Sequence, residues 1–160
     1  RLLTAPTPGS ANAQAQPLGD PAPIRVNEWF AANPDGDDWF ELFNTGDLPV
    51  ELSGMYLTDQ LTIEGRSNTQ IAPLSFIGGR GFVRWIADGD ANGNPNQVNF
   101  RLDGNGEAIR LYTSAFEIVD TIYFGLTTPG VAEGRLPNGA DSFMAFPETA
   151  SPGSSTTVNG

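Results

Sequence analysis

A chain of 160 residues fits one domain with a real core and leaves little room for two. Its 8 basic residues, all Arg, stand singly against 19 acidic ones, and the net charge of -11 offers nucleic acid or an anionic membrane none of the clustered cations they require, while favouring solubility and attracting cations. Zero Cys and zero His exclude disulfides, Cys/His zinc sites, Cys or His nucleophiles and bases, and any Ser-His-Asp triad within the chain.

The chain begins "RLLTAPTPG" rather than at Met with an apolar segment, which reads as an excised piece of a longer polypeptide. No apolar run approaches the roughly 20 residues of a membrane span, so direct membrane insertion is not expected. Residues 1–23, rich in Pro, Ala and Gln and without an aromatic residue, read as an extended linker. "TPGSAN" at 7–12 and "SPGSST" at 151–156 echo each other. Either the first residues are the tail of a preceding, similar module, or two linkers share a composition.

The domain proper is expected over 24–148. β-prone runs follow at 24–30, 38–44, 50–59, 82–88, 98–102, 107–113 and 117–124, with a shorter one at 143–146 and weaker ones at "LTIEG" and "TQIA". Turn signals such as "PDG", "TGD", "IGG", "DGN" and "PNG" separate them, and no stretch keeps a period near 3.6. The spacing predicts an all-β fold of about 7–9 mostly antiparallel strands, an immunoglobulin-like β-sandwich or a barrel. Residues 149–160 read as a Pro/Gly/Ser-rich C-terminal linker.

Alternation assigns faces. Ile24, Val26 and Glu28 are expected on one side of the first strand, and Ala108, Arg110 and Tyr112 opposite Ile109 and Leu111. Phe40 and Leu42 share one face of the second run, while Trp39, Glu41 and Phe43 share the other, so a loop or a partner is needed over one of them. Arg84 and Trp85 face opposite ways, one to core and one to surface.

Three groups of residues have the chemistry of a site. In "DGDANGNPNQVN", Asp88, Asp90 and Asn92 occupy positions 1, 3 and 5 of a calcium loop, Gly93 the sharp turn at 6, and Asn94 follows as a further oxygen donor. Position 12, which should be a bidentate Glu, is Asn99. The plain reading of the same stretch is a polar loop rich in Asx turns. Asp35, Asp37 and Asp38 supply too few converging oxygens for a calcium shell and read as turn chemistry around Gly36. Glu28 and Glu41 have the residue types of an acid-base pair, as in glycosidases, but on adjacent strands a structural role is expected of them. Ser151, Ser154 and Ser155 lie in the linker with no base to activate them.

The order of motifs resembles the lamin-tail domain as found in bacterial proteins. There an "INE" strand leads through a polar loop to "DWIELYN" and then "VDLSGWYLSD"; here "IRVNEWF", "DWFELFN" and "VELSGMYLTD" stand in that order. "GGRGFVRWIADGD", "NFRLDGNGEAIRLY", "IVDTIYFG", "GRLPNGADSF" and "PETASPGS" follow, so the likeness covers about Ile24 to Ser154. The resemblance implies an immunoglobulin-like β-sandwich, an accessory module without catalytic residues or a cofactor of its own. It would belong to a larger secreted or cell-surface protein and contact other proteins or neighbouring domains of the parent chain. The chromatin contacts of nuclear lamins are not carried over to so acidic a chain.

Overall fold

The computed structural model describes residues 8–9, 15–90 and 94–147. Its strands are β1 (Ile24–Phe30), β2 (Trp39–Asn44), β3 (Val50–Glu51), β4 (Tyr56–Thr58), β5 (Thr69–Gln70), β6 (Phe76–Ile77), β7 (Phe82–Ile86), β8 (Glu107–Tyr112), β9 (Ile118–Phe124), β10 (Ala132–Arg135) and β11 (Phe143–Phe146), with one 3-10 turn at Gly65–Ser67. Three of these eleven strands have only two residues, and the remaining eight fall within the expected number.

All the ladders are antiparallel. A five-stranded sheet in the order β11-β10-β1-β2-β7 packs on a four-stranded sheet in the order β5-β4-β8-β9, with β3 and β6 as a separate pair. Between the two larger sheets lies one core, built from Ile24, Val26 and Trp29 of β1, Phe40 and Leu42 of β2, and Trp85 of β7 on one side. Leu57, Ile109, Leu111 and Ile122 face them from the other. The fold is the expected immunoglobulin-like β-sandwich.

The face assignment of β1 is corrected by a bulge. Val26 pairs with Leu42, but Glu28 pairs with Glu41, so Asn27 is one residue too many and reverses the alternation. Ile24, Val26, Trp29 and Ala31 enter the core, and Glu28 does not. Asn27 is itself buried and holds the 137–139 turn: its Nδ2 donates to Asn138 Oδ1 at 3.1 Å and its Oδ1 accepts the Gly139 N–H at 2.9 Å.

Asp120 and Arg135 take over the Val26 backbone at the bulge. Asp120 Oδ2 accepts the Val26 N–H at 2.8 Å, and Arg135 Nε donates to the Val26 carbonyl at 2.8 Å. The two side chains form an ion pair at 3.1 Å and are nearly sealed from water. This clamp ties β9 of one sheet to β1 and β10 of the other.

Both faces of β2 are buried, as its apolar bulk requires. On the outer side Trp39 meets Phe30 edge-on, and Phe43 stacks on Phe82 at 4.4 Å and lies against Gly139. Neighbouring side chains and the 137–139 turn therefore provide the cover. Trp85 is core and Arg84 is exposed.

Other differences from the expected strands have local causes. The run 50–59 breaks into β3 and β4 because Gly54 turns the chain at φ 77, with the Met55 N–H bonded to the Leu52 carbonyl. Val98, Phe100 and Leu102 are buried in alternation, yet their segment meets β7 and its extension through scattered contacts rather than a ladder: Ile86 N–H to Asn96 O, Val98 N–H to Ile86 O, Gly89 N–H to Phe100 O, and isolated bridges of Ile86 with Gln97 and Asp88 with Arg101. Near the start, the Gly19 N–H donates to Pro49 O at 2.8 Å, which lays residues 19–23 against the domain. Residues 149–160 and all but Pro8 and Gly9 of the 7–12 repeat lie outside the described residues.

Candidate functional site

The 88–99 loop, which follows β7, turns at Gly89, whose φ of 82 suits only a glycine comfortably. Asp88 Oδ1 accepts the Asp90 N–H at 2.9 Å, an Asx turn, and its Oδ2 accepts Gln97 Nε2 at 2.6 Å. Asn99 is drawn away from Asp88: its N–H donates to Thr69 Oγ1 at 3.0 Å, its Oδ1 accepts the Thr69 hydroxyl at 2.6 Å, and its Nδ2 donates to Asn68 O at 2.7 Å. Asn94 is exposed, and Asn92 and Gly93 lie outside the described residues. Among the described residues no three His, Cys, Asp or Glu converge as for a metal ion. With both Asp88 oxygens engaged by the loop and the twelfth position bonded to Thr69 and Asn68, millimolar calcium is expected to leave the melting temperature unchanged. A calcium-dependent rise of the melting curve, the mass-action signature of binding to the native state, would contradict this.

Asp35, Asp37 and Asp38 are arranged as turn residues. Asp38 Oδ1 accepts the Asn33 N–H at 2.9 Å, Asn33 Nδ2 donates to Asp37 O at 3.0 Å, and Asn33 Oδ1 accepts the Asp35 N–H at 3.2 Å. Asn33 organises this turn and was not singled out by the sequence reading.

Glu28 and Glu41 stand directly opposite each other on β1 and β2, in a cross-strand row that runs from Gly134 through both glutamates to Arg84. Both have 0% exposure, and neither lines any of the described clefts. The register leaves Gly134 beside Glu28, where a Cβ would come within 2.6 Å of the Asn27 carbonyl.

Two features that the sequence reading did not assemble lie on the four-stranded sheet. The first is its outer face. Ile109 and Leu111 point into the core, so Arg110 and Tyr112 point outward. β4 sets Tyr56 opposite Tyr112, and β9 sets Thr121 opposite Arg110 and Tyr123 opposite Ala108. All three tyrosines of the chain thus share one sheet. Arg110 binds them together: Nε donates to Thr121 Oγ1 at 2.7 Å, Nη1 to the Tyr112 hydroxyl at 3.0 Å and Nη2 to the Tyr123 hydroxyl at 3.4 Å. Phe116 stacks on Tyr56 at 4.7 Å, with the Arg66 guanidinium 4.2 Å from its ring centre. The outward parity of Arg110 and Tyr112 was visible in "EAIRLYT"; the arrival of Tyr56 and Tyr123 beside them depends on strand order.

The second feature is a groove of about 470 Å³ lined by Asp59, Leu61, Glu107, Ala108 and Tyr123 among others. Burial pushes the Glu107 carboxyl up to about 7, with the charges of Asp59, Asp103 and Asp38 adding to the rise and the Asp103 N–H it accepts at 2.8 Å opposing it. Asp103 is held below the usual range by the Asn105 backbone and side-chain N–H groups. Because the native state holds the Glu107 proton more tightly than the unfolded chain, its favourable contribution is complete below about 4.5 and is lost as pH rises through about 7. In melts between about pH 4 and about pH 8, Glu107→Gln is expected to remove that part of the decline. Parallel profiles for variant and parent would contradict the assignment.

The sequence matches no protein-family model and no curated protein. No helix among the described residues is long and apolar enough to cross a membrane.

Proposed function

We propose that the chain is a non-catalytic β-sandwich module of lamin-tail type, part of a larger secreted or cell-surface protein, and that it works by recognition and by positioning neighbouring domains. One observation carries this reading: Glu28 and Glu41, the carboxylates with the residue types of an acid-base pair, pair across β1 and β2 at 0% exposure and line none of the described clefts. The motif order from Ile24 to Ser154 supports the module type, and through it the secreted or surface setting.

A carboxylate hydrolase is the second reading, favoured by the groove in which Glu107 sits near neutrality beside Asp59. Incubation of the chain with glycoside, ester and phosphodiester substrates separates the two. No turnover above background is expected. Turnover that disappears in Glu107→Gln would overturn the non-catalytic reading and move the chemistry to that groove.

A further inference from the structure

β7 is an end strand of the five-stranded sheet, and part of its outer edge is bare. Its ladder with β2 uses residues 81, 83, 85 and 87: Asn44 N–H donates to Gly81 O at 3.0 Å and Ala87 N–H to Asp38 O at 2.8 Å, with Leu42 opposite Val83 and Phe40 opposite Trp85 between them. In an antiparallel ladder such residues alternate with others whose N–H and C=O point away from the neighbouring strand. The backbone groups of Phe82, Arg84 and Ile86 therefore face outward. Those of Ile86 are taken, because its N–H donates to Asn96 O and its carbonyl accepts the Val98 N–H, each at 2.9 Å. Those of Phe82 and Arg84 meet no donor or acceptor among the described residues. Their N–H and C=O groups, set at the spacing of a strand, are a template for one strand more.

A cleft lies on each face of this edge. Val83 and Trp85 point inward, and the cleft on their side, of about 380 Å³, is walled by Leu52, Pro73, Phe76, Val83 and Trp85. Trp85 is 1% exposed, and its indole Nε1 has no acceptor among the described residues, a costly state for a buried donor and one that an occupant of the cleft would relieve. On the opposite face Phe82, Arg84, Ile86 and Pro95 line a cleft of about 450 Å³. Side chains paired across a ladder share a face. An added strand thus sends the side chain opposite Val83 into the first cleft and lays those opposite Phe82 and Arg84 over the second.

We propose that the 82–84 edge of β7 captures an extended, uncharged peptide as an added antiparallel strand. Its central side chain, long, apolar and tipped with an acceptor as in methionine, enters the Trp85 cleft. A peptide backbone supplies the alternating donors and acceptors that Phe82 and Arg84 present. Its lack of charge follows from two opposing fields. The net charge of -11 repels an acidic segment, while Arg84, exposed and in no ion pair among the described residues, repels a cation at the positions beside it. A second copy of the chain brings the same -11, and residues 82–84 offer about 10 Å of strand, a peptide-sized slot beside the roughly 800 Å² per partner of a stable interface. This assignment rests on the reading of the chain as a recognition module.

The test is calorimetric titration of the full 160-residue chain with acetyl-Thr-Val-Thr-Met-Thr-Val-Thr-amide, beside amide hydrogen exchange at Phe82 and Arg84. In the free chain these two amides exchange fast at every protein concentration. Saturating peptide slows them at least about tenfold and shifts the Trp85 indole N–H signal. Methylating the peptide nitrogens of the two threonines beside methionine removes their donors, keeps every side chain and weakens binding at least about tenfold, as does aspartate in place of methionine. Arg84→Pro removes a donor that the β2 ladder does not use and weakens binding to a similar extent. Absence of binding, equal affinity for the N-methylated peptide, or protection of Phe82 and Arg84 without peptide would each overturn the proposal; protection that grows with protein concentration would make a second copy the occupant. Absence of binding leaves the non-catalytic reading standing, whereas cleavage of the bound peptide refutes that reading and leaves the docking edge intact.

Discussion

Arg135→Met is expected to cost about 3–5 kcal/mol of folding stability and to lower the melting temperature by on the order of 10 °C or more. Arg135 is 3% exposed and donates to the Val26 carbonyl at 2.8 Å, the Ala140 carbonyl at 2.6 Å and Asp120 at 3.1 Å. Methionine replaces the bulk but none of these bonds. It leaves the Asp120 carboxylate in a nearly dry site without its cation and strips the bulge carbonyl of its donor, which is the costly way to break a buried pair. Arg80→Met is the control, because Arg80 and Asp47 pair at 2.9 Å with their side chains 63% and 84% exposed. That change is worth about 0–1 kcal/mol. Urea denaturation of both variants checks the contrast, and losses of equal size would remove the clamp from its assigned role.

Gly134→Ala is expected to cost about 1–3 kcal/mol or more, from overpacking alone. The added Cβ would lie 2.6 Å from the Asn27 carbonyl and 3.1 Å from Glu28 Cα, both backbone atoms of the bulge that cannot swing aside. Gly125→Ala meets nothing within 4 Å and has no positive φ, so it should be neutral or slightly stabilising through the unfolded chain. Arg135 and Gly134 serve the same bulge, so the double variant should lose less than the sum of the singles. Full additivity would mean that the two residues act on separate structures.

Short β-prone runs bounded by turn residues were legible. β1, β2, β8, β9 and β11 lie within a residue of the expected runs, because β-branched and aromatic residues set between turn signals favour extended chain. β10 was not legible: "AEGR" has neither alternation nor β-branched residues, and it is a strand because Gly134 admits Glu28 and Arg135 reaches Val26. The bulge hid the true face of Glu28 for a related reason, since an extra residue changes parity without leaving a local mark. At the site, the loop chemistry of Asp88 and Asp38 could be read from their Asx-turn neighbours. The Tyr-Arg face could not, because three tyrosines from three strands meet only through the β4-β8-β9 order. Nor could the neutral-range Glu107, whose shift comes first from its burial in the folded chain.

The most direct test of a sandwich closed at the β1 bulge is native-state amide hydrogen exchange of the isotopically labelled chain. The expected result is strong protection of the Val26 N–H, held by Asp120, together with the amides of β1, β2 and β8, and fast exchange in the exposed 62–64 turn. Exchange at Val26 as fast as in that turn would contradict the account.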